Sequence, residues 1–342
     1  MNNILLGKTL DELKNIVLSL QMPAFTAKQI AQWIYKKNAI SFDQMTDISL
    51  KNRNLLAENF KIGRSLPVDC KISKDGTKKY LFQVTENQFI ETVCIPEDER
   101  STLCVSTQIG CKMNCSFCLT GEMGFVSNLY VYDILNQILS INEKITNIVF
   151  MGMGEPFDNL DNLLKTIEIL TADYGLAISP HRITVSTIGL VEATKTFLQK
   201  TDCHLAVSLH SPFAHERGAL MPSEKVFSIQ KIIAELRLHD FSHQRRLSFE
   251  YIMFDGLNDD LQHAAALAKL LSGIFCRVNL IRFHAIPRVD LRPTDEPKML
   301  DFQKFLNNKG IICTIRRSRG EDIFAACGML ATKKLSENKI KN

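Results

Sequence analysis

Leu103-Cys104-Val105-Ser106-Thr107-Gln108-Ile109-Gly110-Cys111-Lys112-Met113-Asn114-Cys115-Ser116-Phe117-Cys118 opens as a strand-forming run and closes as a loop carrying three cysteines. The run over 102–107 predicts a β-strand. Similar segments recur at 146–151, 182–186, 204–208, 248–253 and 277–282, with helical stretches between most of them. Strands alternating with helices predict βα units on a parallel sheet. Six such units predict an α/β fold, an incomplete (βα)6 barrel. Its chemistry belongs at the C-terminal ends of the strands, on the βα loops.

Upstream of the barrel the pattern changes. Lys78–Val84 and Phe89–Ile95 read as strands joined by turns at Asp75-Gly76 and Glu86-Asn87, a small β-meander over 61–100. Residues 1–60 read as helical. Thr9 and Glu12 form a capping-box pair ahead of Leu10, Leu13, Val17 and Leu20, and Pro23 ends that helix. Thr26 and Gln29 open a second helix with Ile30, Trp33 and Ile34 on its apolar face, and a third is expected around 49–60. Lys28, Lys36 and Lys37 give this domain a basic side, read either as a solvated face or as a contact for RNA. The catalytic core is expected over 101–331, with a basic flexible tail over 332–342.

Composition excludes several classes. The chain has 342 residues, 45% hydrophobic and 23% charged, as in ordinary soluble globular proteins. A net charge of +4 is too small to argue nucleic-acid binding by itself. The N-terminus has no secretory pattern and no apolar run is long enough to span a bilayer, so a cytoplasmic protein with no membrane partner is expected. Ten cysteines in such a compartment point to metal or catalytic use.

Cys111, Cys115 and Cys118 have the spacing to hold three irons of a [4Fe-4S] cubane. The fourth iron then lacks a protein ligand and can be chelated by the amino and carboxylate groups of S-adenosylmethionine (SAM), whose sulfonium the cluster's electron cleaves. A zinc site is the plain alternative, but zinc wants four closed ligands and the loop offers three. Polar and glycine residues fall at successive strand ends. They are Gly154 and Glu155 in Gly152-Met153-Gly154-Glu155-Pro156, Ser186, and Ser208-Leu209-His210. Each alone is an ordinary strand-end residue; together at one rim they suggest a SAM pocket, with Glu155 facing the ammonium.

Several stretches resemble the RlmN/Cfr family of radical SAM RNA adenosine methyltransferases. They are Glu91-Thr92-Val93 with Ile95-Pro96, Leu103–Ser106, the cluster loop, Gly152–Pro156, Ser208–His210, Arg319-Gly-Glu-Asp322 and Ala325-Ala-Cys327-Gly328. The resemblance covers nearly the whole chain, closest to the RlmN type. It implies two SAM molecules per turnover. The first methylates Cys327. The second yields a deoxyadenosyl radical that takes hydrogen from that methyl, and the carbon then adds to adenine. Cys104 closes a transient disulfide with Cys327 to release product, and Glu91 accepts a proton. The implied substrates are an adenosine in the peptidyl-transferase region of 23S rRNA, modified at carbon 2, and the tRNA adenosine beside the anticodon. A flavodoxin or ferredoxin is the implied electron donor, and a monomer the default state. Carbon-8 methylation of the Cfr type, a radical SAM enzyme on a non-RNA substrate and a non-catalytic RNA-binding protein are the alternatives.

The chain departs from the family pattern at Ser186-Thr187-Ile188-Gly189, where Ser-Thr-Ser-Gly is frequent. Arg282 stands in place of a proline, and His284 in place of an asparagine that contacts SAM. Imidazole can still make such a hydrogen bond. Arg316, Arg317 and Arg319 read as a phosphate-gripping patch, Arg245 and Arg246 as a second candidate. Cys70, Cys94, Cys203, Cys276 and Cys313 read as small buried hydrophobes.

Overall fold

The computed structural model describes residues 3–243, 245–286 and 289–331. The expected tail over 332–342 lies outside them. Strands β1 (Asp69–Ile72), β2 (Lys78–Thr85) and β3 (Gln88–Glu97) form the antiparallel meander. Strand β4 (Arg100–Cys104) pairs antiparallel with β3. A short antiparallel hairpin, β5 (Gln108–Gly110) with β6 (Phe125–Asn128), brackets the three-cysteine loop. The remaining strands are β7 (Asn147–Phe150), β8 (Ile183–Thr187), β9 (His204–Ser208), β10 (Leu247–Met253), β11 (Arg277–Arg282) and β12 (Ile312–Ile315). From β4 through β7–β12 every neighbouring pair is parallel. The meander therefore continues the barrel sheet into one ten-stranded sheet, ordered β1-β2-β3-β4-β7-β8-β9-β10-β11-β12.

Strand β10 is buried along its whole length and β9 in four of five positions. Such near-continuous burial is what apolar runs covered on both faces produce. The first strand is shorter than its 102–107 reading. Regular pairing stops at Cys104, and the chain then enters the β5 hairpin, which the sequence reading did not foresee. Strand β12 is also an addition.

The helical N-terminus begins as expected. Thr9 Oγ1 accepts from Glu12 N at 3.3 Å and Glu12 Oε2 accepts from Thr9 N at 2.8 Å, capping the helix Leu10–Ser19. The helix Thr26–Ala31 has no such cap; Gln29 instead donates to the Asp47 carbonyl at 2.8 Å. The third helix is Leu50–Asn59. This unit packs on the barrel's outer helices. Lys165 pairs with Glu12 at 2.6 Å, Arg64 donates to the Leu139 carbonyl, and Ser65 exchanges bonds with Asn136. One continuous apolar core runs from Leu5 through both parts. Among the described residues no helix is long and apolar enough to cross a membrane.

Candidate functional site

Cys111 follows β5, and Cys118 precedes the short helix Leu119–Glu122. The hairpin that fixes them needs glycine at 110. Its φ is +72°, and a Cβ there would stand 1.7 Å from the Gly124 carbonyl oxygen. Ser116 N donates to Leu220 O at 2.9 Å, which ties the loop's crest to the far side of the barrel. The three thiols pack against an apolar cluster that includes Met113, Phe117, Met221 and Phe254. Burial pushes Cys111 up to about 12, and raises Cys115 and Cys118. Their mutual repulsion raises Cys115 further. Such thiols ionise only against strong local positive charge, which a metal cluster supplies. Among the described residues no three His, Cys, Asp or Glu side chains could hold a single metal ion. A cubane gives each thiolate its own iron corner, so the three sulfurs need not converge on one point, as zinc would require. The donor set and its dry shell fit the cluster.

The loop after β7 lies directly over the approach to these cysteines. Met153 O accepts from Thr107 N at 2.8 Å, and Gln108 Oε1 accepts from Glu155 N at 2.8 Å. Gly154, at φ +101°, could carry no Cβ, since one would sit 2.5 Å from Gln108 Cβ. Glu155 is buried. Its oxygens accept from Phe157 N at 3.1 Å and Ile188 N at 3.0 Å. Ser186 on β8 and Ser208 ending β9 are half-buried, and among the described residues neither hydroxyl has a partner, which leaves both open to a ligand.

Burial drives the Glu155 carboxyl up to about 7, against the lowering effect of its hydrogen-bond donors. Unfolded, the same group ionises near the ordinary glutamate value of 4.5. Between those values the folded chain keeps a proton that the unfolded chain has lost. Stability of the ligand-free protein should therefore fall as pH rises through that window, by roughly 3 kcal/mol in all, then level off. Glu155→Gln should flatten this dependence. Denaturant titrations across the window check it, and identical pH profiles for the two proteins would contradict the assignment.

Three rim residues are already engaged within the protein. Leu209 is wholly buried in the core, so its backbone is the part that can face a ligand. His210 sits at φ +58°. Its Nδ1 accepts from Ile252 N at 3.0 Å, and its ring stands edge-on to Phe117 at 4.9 Å. Burial, with Arg217 nearby, lowers it to about 3, so it is a neutral spacer between strand end and cluster loop. His284 has both ring nitrogens engaged. Nε2 meets Ser318 Oγ at 2.8 Å and Nδ1 meets Glu321 at 3.1 Å. In this arrangement it braces the C-terminal loop.

That loop, 316–331, carries Cys327 and is fastened on several sides. Asp322 accepts from Ser73 Oγ at 2.5 Å, and Gly320 N donates to Asp75 Oδ2 at 3.0 Å. Leu119 N donates to Gly328 O at 2.8 Å and Thr120 Oγ1 to Leu330 O at 2.7 Å. Glu91 is buried on β3. One of its oxygens lies 3.0 Å from Lys79 Nζ and the other accepts from Ala331 N at 2.9 Å. Burial raises its carboxyl pKa. Cys104 ends β4. Burial drives it to about 12, Cys327 raises it further, and Arg316 opposes both. Cys327 is open to solvent yet crowded by protein, a thiol in a recess, and it feels Arg316, Glu250 and Cys118. Two cysteines more than two hundred positions apart thus share one guanidinium beside the cluster loop. Glu250, buried on β10, stands 3.6 Å from that guanidinium. All ten cysteines are free thiols, so the Cys104–Cys327 disulfide is not formed in this structure.

Arg245 and Arg246 do not join the site. They precede β10, at the opposite end of the parallel strands, where Arg245 donates to Leu198 O and pairs with Asp202 at 3.5 Å. Cys70 also departs from its reading. It is exposed on β1, while Cys94, Cys203, Cys276 and Cys313 are buried. One important residue was missed. Arg217 is completely buried; it pairs with Glu224 and donates to the carbonyls of Ile188, Ser208 and Leu209. It clamps the ends of β8 and β9, where the rim residues stand.

A three-cysteine loop opposite a glycine-bearing strand-end rim, on this open parallel barrel, defines a radical SAM enzyme, which uses a [4Fe-4S] cluster and SAM. Residues 105–268 match the family model of the radical SAM superfamily, and residues 3–62 that of the ribosomal RNA large subunit methyltransferase N-terminal domain. The chain belongs to the RlmN family. It is 57% identical over 337 residues to a probable dual-specificity RNA methyltransferase RlmN of Phocaeicola vulgatus, covering 98% of this chain and 97% of that one. It is 58% identical over 332 residues to the protein of the same name in Parabacteroides distasonis, covering 96% and 97%. It is similar to a crystal structure of a radical SAM methyltransferase from Sphaerobacter thermophilus, with TM-score 0.91, 37% identity and coverage of 96% and 98%.

Proposed function

We propose that this chain methylates carbon 2 of adenosine in 23S rRNA and in tRNA, through a methyl group first carried on Cys327. The observation that carries the reading is the convergence of Cys104 and Cys327 on Arg316 beside the cluster loop. A radical SAM enzyme that left its own protein unmodified would have no use for such a pair.

Cys111, Cys115 and Cys118 would hold the cluster, and Gly154, Glu155, Ser186 and Ser208 would line the SAM site. When bound, the cluster and SAM supply one-electron chemistry able to activate a methyl C–H bond. Carbon 2 of adenine is not nucleophilic, so a polar methyl transfer to it would be very slow. The protein's part begins at Cys327. Arg316 opposes the effect of burial and favours the thiolate, which attacks a sulfonium methyl. The new S–C bond keeps the methyl on the loop beside the cluster cysteines. Joining that carbon to adenine would leave one unpaired electron, which the one-electron chemistry of a bound cluster would take up as Glu91 takes the ring proton; one of its present partners, Lys79 or Ala331, must yield for this. Cys104 then attacks the Cys327 sulfur. An S–S bond forms, and the S–C electron pair stays with the carbon, which a proton completes to methyl.

Cys104→Ala should stop the cycle after carbon–carbon bond formation. RNA should accumulate covalently on the protein, visible as a denaturation-resistant band that ribonuclease shortens. A variant that turns over freely without any such band would remove Cys104 from the exit step.

The target base has to leave its stack to reach a recessed thiol, so a loop or bulge is the natural substrate. Arg317 is exposed and Arg319 half-exposed; among the described residues neither is paired with a carboxylate, which suits phosphate contact. The helical domain, with Lys28, Lys36 and Lys37 exposed, adds a second RNA-facing surface. The same reading includes a flavodoxin or ferredoxin as electron donor, a monomeric enzyme and a cytoplasmic location.

A further inference from the structure

Phe324 stands three residues before Cys327, and the residue is 44% exposed. A singly exposed apolar side chain is ordinary on a protein surface. Three further observations set this one apart. Its backbone is left-handed, φ +54° and ψ +47°, a conformation that favours glycine or asparagine and penalises a bulky residue. The conformation is held rather than loose. Phe324 N donates to Glu321 O at 3.0 Å, its carbonyl accepts from Lys79 Nζ at 3.0 Å, and Ala325 N donates to Gly320 O at 2.8 Å. Finally, the ring is stacked on no other aromatic among the described residues. The same loop carries Arg317 and Arg319, and exposed Lys71 and Lys74 flank the turn that anchors it. The fold therefore fixes an unpaired aromatic face outward, against the local backbone preference, amid cations and next to the thiol that must reach a base.

We propose that Phe324 is a stacking platform for a nucleobase adjoining the target adenosine, gripping the unstacked strand while Cys327 reaches its neighbour. The proposal rests on the RNA reading above. Aromatic faces take any base because every base has a π-face, and their loss weakens binding without touching the chemistry.

The test is steady-state methylation of a stem-loop RNA carrying the target adenosine, by wild type, Phe324→Ala, Phe324→Leu and Phe324→Trp. Transfer of the first methyl from SAM to Cys327, which involves no RNA, reports that each variant is folded. The expected result is a KM raised about tenfold in the Ala and Leu variants, with kcat within about twofold, and near-wild-type KM for Trp. Leu keeps apolar bulk without a π-face, so a Leu variant that behaves as wild type would overturn stacking in favour of simple packing. Wild type on an RNA with an abasic nucleotide beside the target should lose about as much, and Phe324→Ala should lose nothing further on it. Additive losses, or an unchanged KM in the Ala variant, overturn this proposal alone. A wild type that loads methyl on Cys327 yet modifies no RNA overturns the RNA reading and this proposal together.

Discussion

Protein carrying Cys327→Ala should transfer no methyl to RNA, a loss on the order of a thousandfold or more, while still cleaving SAM to deoxyadenosine. The two activities separate because Cys327 is not one of the three cysteines of the cluster loop. The loop bearing it shares their apolar shell through Ala326 and Met329 and is held there by backbone bonds that an alanine leaves intact, such as Leu119 N to Gly328 O at 2.8 Å. Alanine also fits the local backbone, since its neighbours Ala325 and Ala326 are already buried there. Measured together on anaerobic protein, the pair of rates is decisive. Methylated RNA from the variant at even a tenth of the wild-type rate would refute a route through a methyl-bearing thiol.

The second large effect concerns the cluster itself. Cys115→Ala should reduce bound iron from about four per chain to below one after anaerobic reconstitution, and should remove deoxyadenosine formation along with methylation. Burial and both sister cysteines raise the Cys115 thiol. With one corner missing, two thiols remain in an apolar shell, too few to hold the cluster. The loop should hold its shape, because Ser116 remains bonded to Leu220 O. Iron content and the visible absorption of the cluster give the result. A variant that keeps both iron and SAM cleavage at wild-type level would remove Cys115 from the ligand set.

Much of the architecture could be read in advance because its signals are local. Three cysteines in eight residues announce themselves, and a stretch such as Leu247–Met253, with apolar residues at 247, 249, 251 and 253, reads as a strand. What escaped depends on contacts between distant residues. Arg217 occurs in Ala-His-Glu-Arg, which reads as solvated helix surface. Nothing in that string shows that the guanidinium turns inward to three carbonyls. Strand β12 is four residues long with a mixed burial pattern, and it exists because β11 offers it an edge. His284 was read against the family's asparagine as a ligand contact. The sequence does not show its partners within the protein, Ser318 and Glu321, which come from a segment more than thirty residues on. Arg245 and Arg246 looked like a cationic patch because a sequence does not say which end of a barrel a residue occupies. The roles proposed for Cys327 and Cys104 rest, conversely, on family likeness; spacing gives no hint that the two come near one guanidinium.

The fastening of the 316–331 loop has a consequence for how the enzyme is made. Its anchors are Ser73 and Asp75 in the meander, Glu91 on β3, and Leu119 and Thr120 just past the cluster cysteines. Every one of them is synthesised long before Cys327. A growing chain can therefore complete its cluster-binding loop, and receive iron and sulfide there, before the reactive cysteine exists to compete as a stray ligand. Closure of the last segment over a finished cluster would then be the step that turns an iron–sulfur protein into a methyltransferase.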